Sequence, residues 1–94
     1  MDLNELTSSL GNQLETISQK SEQGETPDES TALEFHRNCM KLMSVAPDEW
    51  YEEAEDFAHL ANQLCKAVKQ NRTKEAVLLV DSLGDAYNYL STCF

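Results

Sequence analysis

Apolar residues recur along this chain at intervals of three and four, the spacing that places side chains on one face of an α-helix. The first such stripe consists of Leu3, Leu6, Leu10, Leu14 and Ile17. Asp2 followed by Glu5 has the spacing of a capping box at its start. Three similar stripes follow, and no segment alternates like a half-buried strand. The pattern predicts helices over residues 2–20, 27–44, 47–70 and 74–92.

Several residues between the stripes are typical of helix ends. In the segment 26–29, Thr-Pro-Asp-Glu, a capping threonine precedes a proline at the first helical position. Pro47 is expected to begin the third helix in the same way, and Thr73 to cap the fourth. Asn71 suits a left-handed residue at the end of the third helix. Gly84 interrupts the fourth stripe, which indicates a close approach by another helix.

Four amphipathic helices with short polar connections predict an all-α fold, an antiparallel four-helix bundle in which residues 1–94 form one domain. Each helix has one apolar face, and four such faces can share a core. A dimer of helical hairpins, in which the first helix pairs between chains, is the competing arrangement.

Charge narrows the range of partners. The chain has 94 residues, 17 Asp and Glu against 7 Lys and Arg, and a net charge of −10. This balance disfavours direct binding to nucleic acid or anionic lipid, since both require basic side chains. No apolar run reaches the roughly 20 residues of a membrane span, and the N-terminus does not resemble a signal peptide. With three widely spaced cysteines, the expected location is the cytoplasm, where thiols stay reduced.

The negative charge is concentrated at the start of the third predicted helix. Six carboxylates fall within residues 48–56, while four bases surround the far end of that helix. The helix dipole favours both placements. The alternative is a negative face that binds a basic protein partner. The candidate partner-binding residues are Asp48, Glu49, Tyr51, Glu52, Glu53, Glu55 and Asp56.

Catalytic motifs are not evident. The sequence has no phosphate-binding glycine loop, no H-E-x-x-H and no G-x-S-x-G, so we expect neither an enzyme nor a bound cofactor. One set of soft ligands shares a helix face, and imidazole, thiol and thioether groups of this kind bind copper(I) or zinc. This candidate metal set is His36, Cys39, Met40 and Met43, although core packing explains the same residues. His59 is expected in solvent.

The second half of the chain resembles a known family of bundles. Ala54-Glu55-Asp56-Phe57, Leu64-Cys65-Lys66-Ala67 and Ser82-Leu83-Gly84 are similar to the last two helices of cytochrome c′-type proteins, especially small bacterial proteins of the X-X-X-Cys-His type. Members of that family end with Cys-x-x-Cys-His, which binds haem. The matching positions here are Leu90, Ser91, Thr92, Cys93 and Phe94. Only Cys93 fits, so the resemblance implies the fold, and no haem is expected.

Together these features predict a small acidic, non-catalytic protein-interaction module that binds a protein partner or self-associates. One alternative is a bundle that binds a small ligand or a soft metal. Another is an acidic inhibitor of phage type that imitates nucleic acid, for which small size and negative charge are the only support.

Overall fold

The computed structural model describes residues 3–93, and each of the four apolar stripes forms an α-helix. The predicted capping residue Asp2 and the matched position Phe94 fall outside this range. A single 3₁₀ turn, Asp48–Trp50, precedes the third helix. The helices are α1 (Leu3–Glu22), α2 (Glu29–Val45), α3 (Tyr51–Lys69) and α4 (Thr73–Leu90).

The helices pack in a ring. Each one contacts the helix that follows it in the chain, and α1 also packs against α4 to close the bundle. Because the connections are short, consecutive helices run in opposite directions. The molecule measures 35 × 20 × 20 Å. The prediction of an all-α four-helix bundle is confirmed, and the described residues contain no strand.

The core is built from the apolar stripes and contains a line of aromatic contacts. The Phe35 and Phe57 rings meet edge to face with centroids 5.6 Å apart. Phe57 lies 6.3 Å from the Tyr87 ring, and the Tyr87 hydroxyl donates a hydrogen bond to the Thr7 carbonyl at 3.1 Å. These four residues come from four different helices. The contacts therefore connect α2, α3, α4 and α1 in that order.

Three predicted helix starts differ from the structure. Thr73 is the first residue of α4 and Arg72 is its N-cap, so Thr73 does not cap that helix. The N-cap of α2 is Asp28, which makes no side-chain capping bond, and Pro27 is buried instead of starting the first turn. Pro47 precedes the 3₁₀ turn, and α3 begins only at Tyr51. The reason is Trp50, whose non-helical backbone (φ −135°, ψ 24°) places its ring in the core, 5% exposed.

Two helices end in the same way. The left-handed conformation expected at Asn71 is confirmed, with φ at 55°. The next amide, of Arg72, donates to the Ala67 carbonyl at 2.9 Å. At the end of α1, Gly24 has φ 73° and the Glu25 amide reaches the Lys20 carbonyl at 3.0 Å. Both are Schellman motifs, which satisfy carbonyls that the helix end would leave without partners.

The close approach predicted at Gly84 is wrong, because a Cβ there would meet nothing within 4 Å. The tight position is Gly11 in α1. A Cβ on Gly11 would lie 2.7 Å from the Tyr87 hydroxyl oxygen, well inside normal contact distance. Tyr87 reaches across to α1 for its hydrogen bond with Thr7, and only glycine leaves room for it.

The two glycines should respond to alanine in opposite directions. Gly84→Ala should stabilise the protein by about 1 kcal/mol, since alanine is the better helix former and has space there. Gly11→Ala should destabilise it by about 1–3 kcal/mol, because the Tyr87 ring must move. Urea unfolding followed by circular dichroism measures both free energies.

Repeating Gly11→Ala in a Tyr87→Leu protein tests whether the Tyr87 side chain causes the destabilisation. In a Tyr87→Leu protein the obstructing hydroxyl is absent, so Gly11→Ala should become stabilising by about 1 kcal/mol. A Gly11→Ala protein that is more stable than wild type with Tyr87 intact would contradict this account.

Candidate functional site

The carboxylates predicted as a binding face lie on the outside of one end of the bundle. We call Asp48, Glu49, Glu52, Glu53, Glu55 and Asp56 the acidic segment. Five of these side chains are exposed and Glu53 is half-buried. The buried Trp50 ring anchors the acidic segment to the core, whereas the neighbouring Tyr51 is 38% exposed. The segment therefore presents an aromatic ring among its carboxylates.

The acidic segment is not neutralised within the described part of the chain. Among the described residues, the ion pairs join Lys20 to Glu25 at 3.5 Å and Arg72 to Glu75 at 3.3 Å. Both lie at the end of the bundle opposite the acidic segment. The 19 residues of α3 separate the two ends by about 27 Å. Exposed charges this far apart are largely screened at an ionic strength of 0.1 M. The acidic segment therefore has no ion pair with a basic side chain among the described residues.

The helix dipole explains the positions of only some of the carboxylates in the acidic segment. Asp48 and Glu49 occupy the 3₁₀ turn, and Glu52 and Glu53 lie in the first turn of α3, where the dipole favours carboxylates. That effect fades beyond the first turn. Glu55 and Asp56 lie beyond the first turn of α3, so the dipole does not explain why carboxylates occupy these two positions.

The four predicted soft ligands do not form one set. Cys39 is completely buried in the core, whereas Met40 is 44% exposed and His36 and Met43 are half-buried. Cys39 lies in line with the apolar stripe of α2, and the other three residues follow its edge. Burial, with a smaller effect of nearby Cys65, raises the pKa of the Cys39 thiol. Cys39 is therefore a protonated core residue, separate from the other three.

The other three soft ligands, His36, Met40 and Met43, line a groove of about 350 Å³ between α2 and α3. His59 of α3 is exposed as predicted, yet it faces the same groove as His36. Sequence periodicity could not reveal this pairing, because it depends on how α2 and α3 are aligned. The groove is lined by His36, Met40, Met43, Glu55, Ala58, His59 and Asn62.

Residues 3–93 contain no group of three or more His, Cys, Asp and Glu side chains that could hold a metal ion. Within this range no helix has the length and apolarity needed to cross a bilayer. Comparisons with protein-family models, with curated proteins and with solved structures give no significant match.

The cysteines differ in their surroundings, and none is in a disulfide. The Cys65 thiol donates to the Ala32 carbonyl of α2 at 3.2 Å. Burial, followed by the charge of Glu29, raises the pKa of Cys65. Cys93 is partly exposed near the end of the described chain.

These surroundings predict an order of reaction with a thiol reagent in the folded protein. Cys93 should react first, Cys65 more slowly because a raised pKa lowers its thiolate fraction, and Cys39 only after unfolding. Mass spectrometry of peptides from a timed labelling reaction measures the order. Labelling of Cys39 at the rate of Cys93 in native buffer would contradict the packing described for α2.

Proposed function

We propose that this protein is a non-catalytic interaction module that binds a positively charged segment of a partner protein through its acidic segment and Tyr51. The observation that carries the proposal is a set of six carboxylates at one end of the bundle, with no ion pair to a basic side chain among the described residues. Complementary charge accelerates the encounter of two proteins and excludes partners of the wrong sign.

The arrangement of the carboxylates supports this use. Glu52 and Asp56 are four residues apart on α3, so both point into solvent from one face and repel each other. Such repulsion disfavours the free helix slightly. A lysine or arginine from a partner relieves it, which makes the bound state favourable relative to the free one.

Tyr51 supports a partner rich in arginine or lysine. Its exposed ring lies one helical turn from Glu55, so a cation can contact the aromatic face and a carboxylate together. Tyrosine is also enriched among residues that dominate binding energy at interfaces.

We further propose that the protein works in the cytoplasm and shares only architecture with cytochrome c′-type bundles. Three unpaired cysteines support a reducing compartment. The sequence offers a single attachment cysteine, Cys93, and has Phe94 where a haem-binding family member has its histidine. A non-haem role is consistent with both residues.

Binding to a fluorescent nonamer of arginine tests the proposal. Affinity, measured by fluorescence anisotropy, should fall steeply as NaCl rises, because the contact is electrostatic. The variant Glu52→Gln/Glu53→Gln/Glu55→Gln/Asp56→Asn should bind at least about tenfold more weakly than wild type. Tyr51→Ala should weaken binding with little change in its salt dependence.

A matched control separates a local site from overall charge. The variant Glu15→Gln/Glu22→Gln/Glu34→Gln/Asp81→Asn removes the same number of charges from exposed positions elsewhere and should bind within about twofold of wild type. Equal loss in both variants, or an affinity that does not depend on salt, would overturn the proposal. Circular dichroism confirms that each variant is folded.

A further inference from the structure

The groove between α2 and α3 brings together soft ligands from two helices. On α2, His36 and Met40 are four residues apart and lie on the same face. Cys65 contacts Ala32, and the two helices run antiparallel. In an antiparallel pair, moving back along α3 corresponds to moving forward along α2. His59 is six residues before Cys65, so it lies level with the residue six positions after Ala32, which is Asn38. His59 therefore lies level with the part of α2 between His36 and Met40.

We propose that this groove binds a single Cu(I) ion through the imidazoles of His36 and His59 and the thioether of Met40, with Met43 available as a fourth ligand. Cu(I) accepts imidazole and thioether ligands in low coordination numbers. Unbranched methionine side chains adjust easily, so modest rotations of Met40 and Met43 suffice to reach an ion held by the two rings.

The same groove is poorly suited to harder ions. Within residues 3–93 no three His, Cys, Asp and Glu side chains are arranged to hold a metal, and Cys39 faces the core. The Glu55 carboxylate also lines the groove but forms no three-residue metal group with the two histidines. Of the four proposed ligands, two are thioethers, which are weak ligands for zinc, magnesium or calcium. The chemistry of the groove therefore selects a soft monovalent ion.

Two neighbours favour the bound cation. Glu55 lies in the groove and supplies negative charge near the ion. The side-chain amide nitrogen of Gln63 lies 3.1 Å from Nε2 of His59 and donates a hydrogen bond to it. On binding the ion, a half-turn of this amide brings its oxygen to the same position, where it accepts the Nε2 hydrogen and leaves Nδ1 to bind the metal, as outer partners of metal-bound histidines generally do.

Methionine methyl resonances provide a direct test. The protein has three methionines, so ¹³C-methyl labelling gives three signals. Anaerobic titration with Cu(I), supplied as its acetonitrile complex, should shift the Met40 and Met43 signals and saturate at one equivalent. The Met1 signal should stay in place, because Met1 is outside the ligand set. Titration that leaves Met40 unmoved, or that moves all three signals alike, would overturn the proposal.

Affinity measurements with variants identify the ligands. In competition with bicinchoninate, His36→Ala, His59→Ala and Met40→Leu should each bind Cu(I) at least about tenfold more weakly. Asn62→Ala changes the same groove without removing a soft ligand and should stay within about twofold of wild type.

Thiols also bind Cu(I), so a Cys65→Ala/Cys93→Ser protein provides the necessary comparison. It should keep the wild-type affinity and the Met40 shift. Loss of binding in this protein, with binding retained in His36→Ala, would place the ion on cysteine and overturn the proposal. The result is independent of the arginine-peptide experiment, since that peptide contains no metal.

Discussion

The bundle depends on a line of aromatic contacts that crosses its core. Phe35 meets Phe57 edge to face, Phe57 contacts Tyr87, and the Tyr87 hydroxyl donates to the Thr7 carbonyl. Because the four residues belong to four helices, these contacts hold α2, α3, α4 and α1 in a single arrangement. This arrangement also requires glycine at position 11, because the Tyr87 hydroxyl occupies the space that a side chain there would fill. Aromatic pairs add stability beyond the area they bury.

Both proposed surfaces follow from this arrangement. Packing of α2 against α3 fixes their alignment, and that alignment puts His59 opposite His36 and Met40. Burial of Trp50 decides where α3 begins, so the carboxylates around it face solvent. The acidic segment and the groove meet at Glu55. A cation in the groove and a basic partner on α3 would therefore act on the same carboxylate.

The candidate sites were predictable to different degrees. The six carboxylates of the acidic segment fall within nine consecutive residues, and their exposure follows from the helical period once the core stripe of α3 is known. The soft-ligand set was only partly predicted. Cys39 shares a broad face with Met40, yet the core includes the first and excludes the second. His59 is missing from that set because it belongs to another helix, and no local pattern connects it to His36.

The sequence by itself determined four helices, their antiparallel bundle and the left-handed turn at Asn71, because these depend on local spacing and backbone preference. Only the tertiary structure decided that α3 starts after Trp50 and that Gly11, not Gly84, is the tight position. It also decided that His36 and His59 share a groove. Each of these depends on how one helix is placed against another, and that placement results from close packing of side chains distant in sequence.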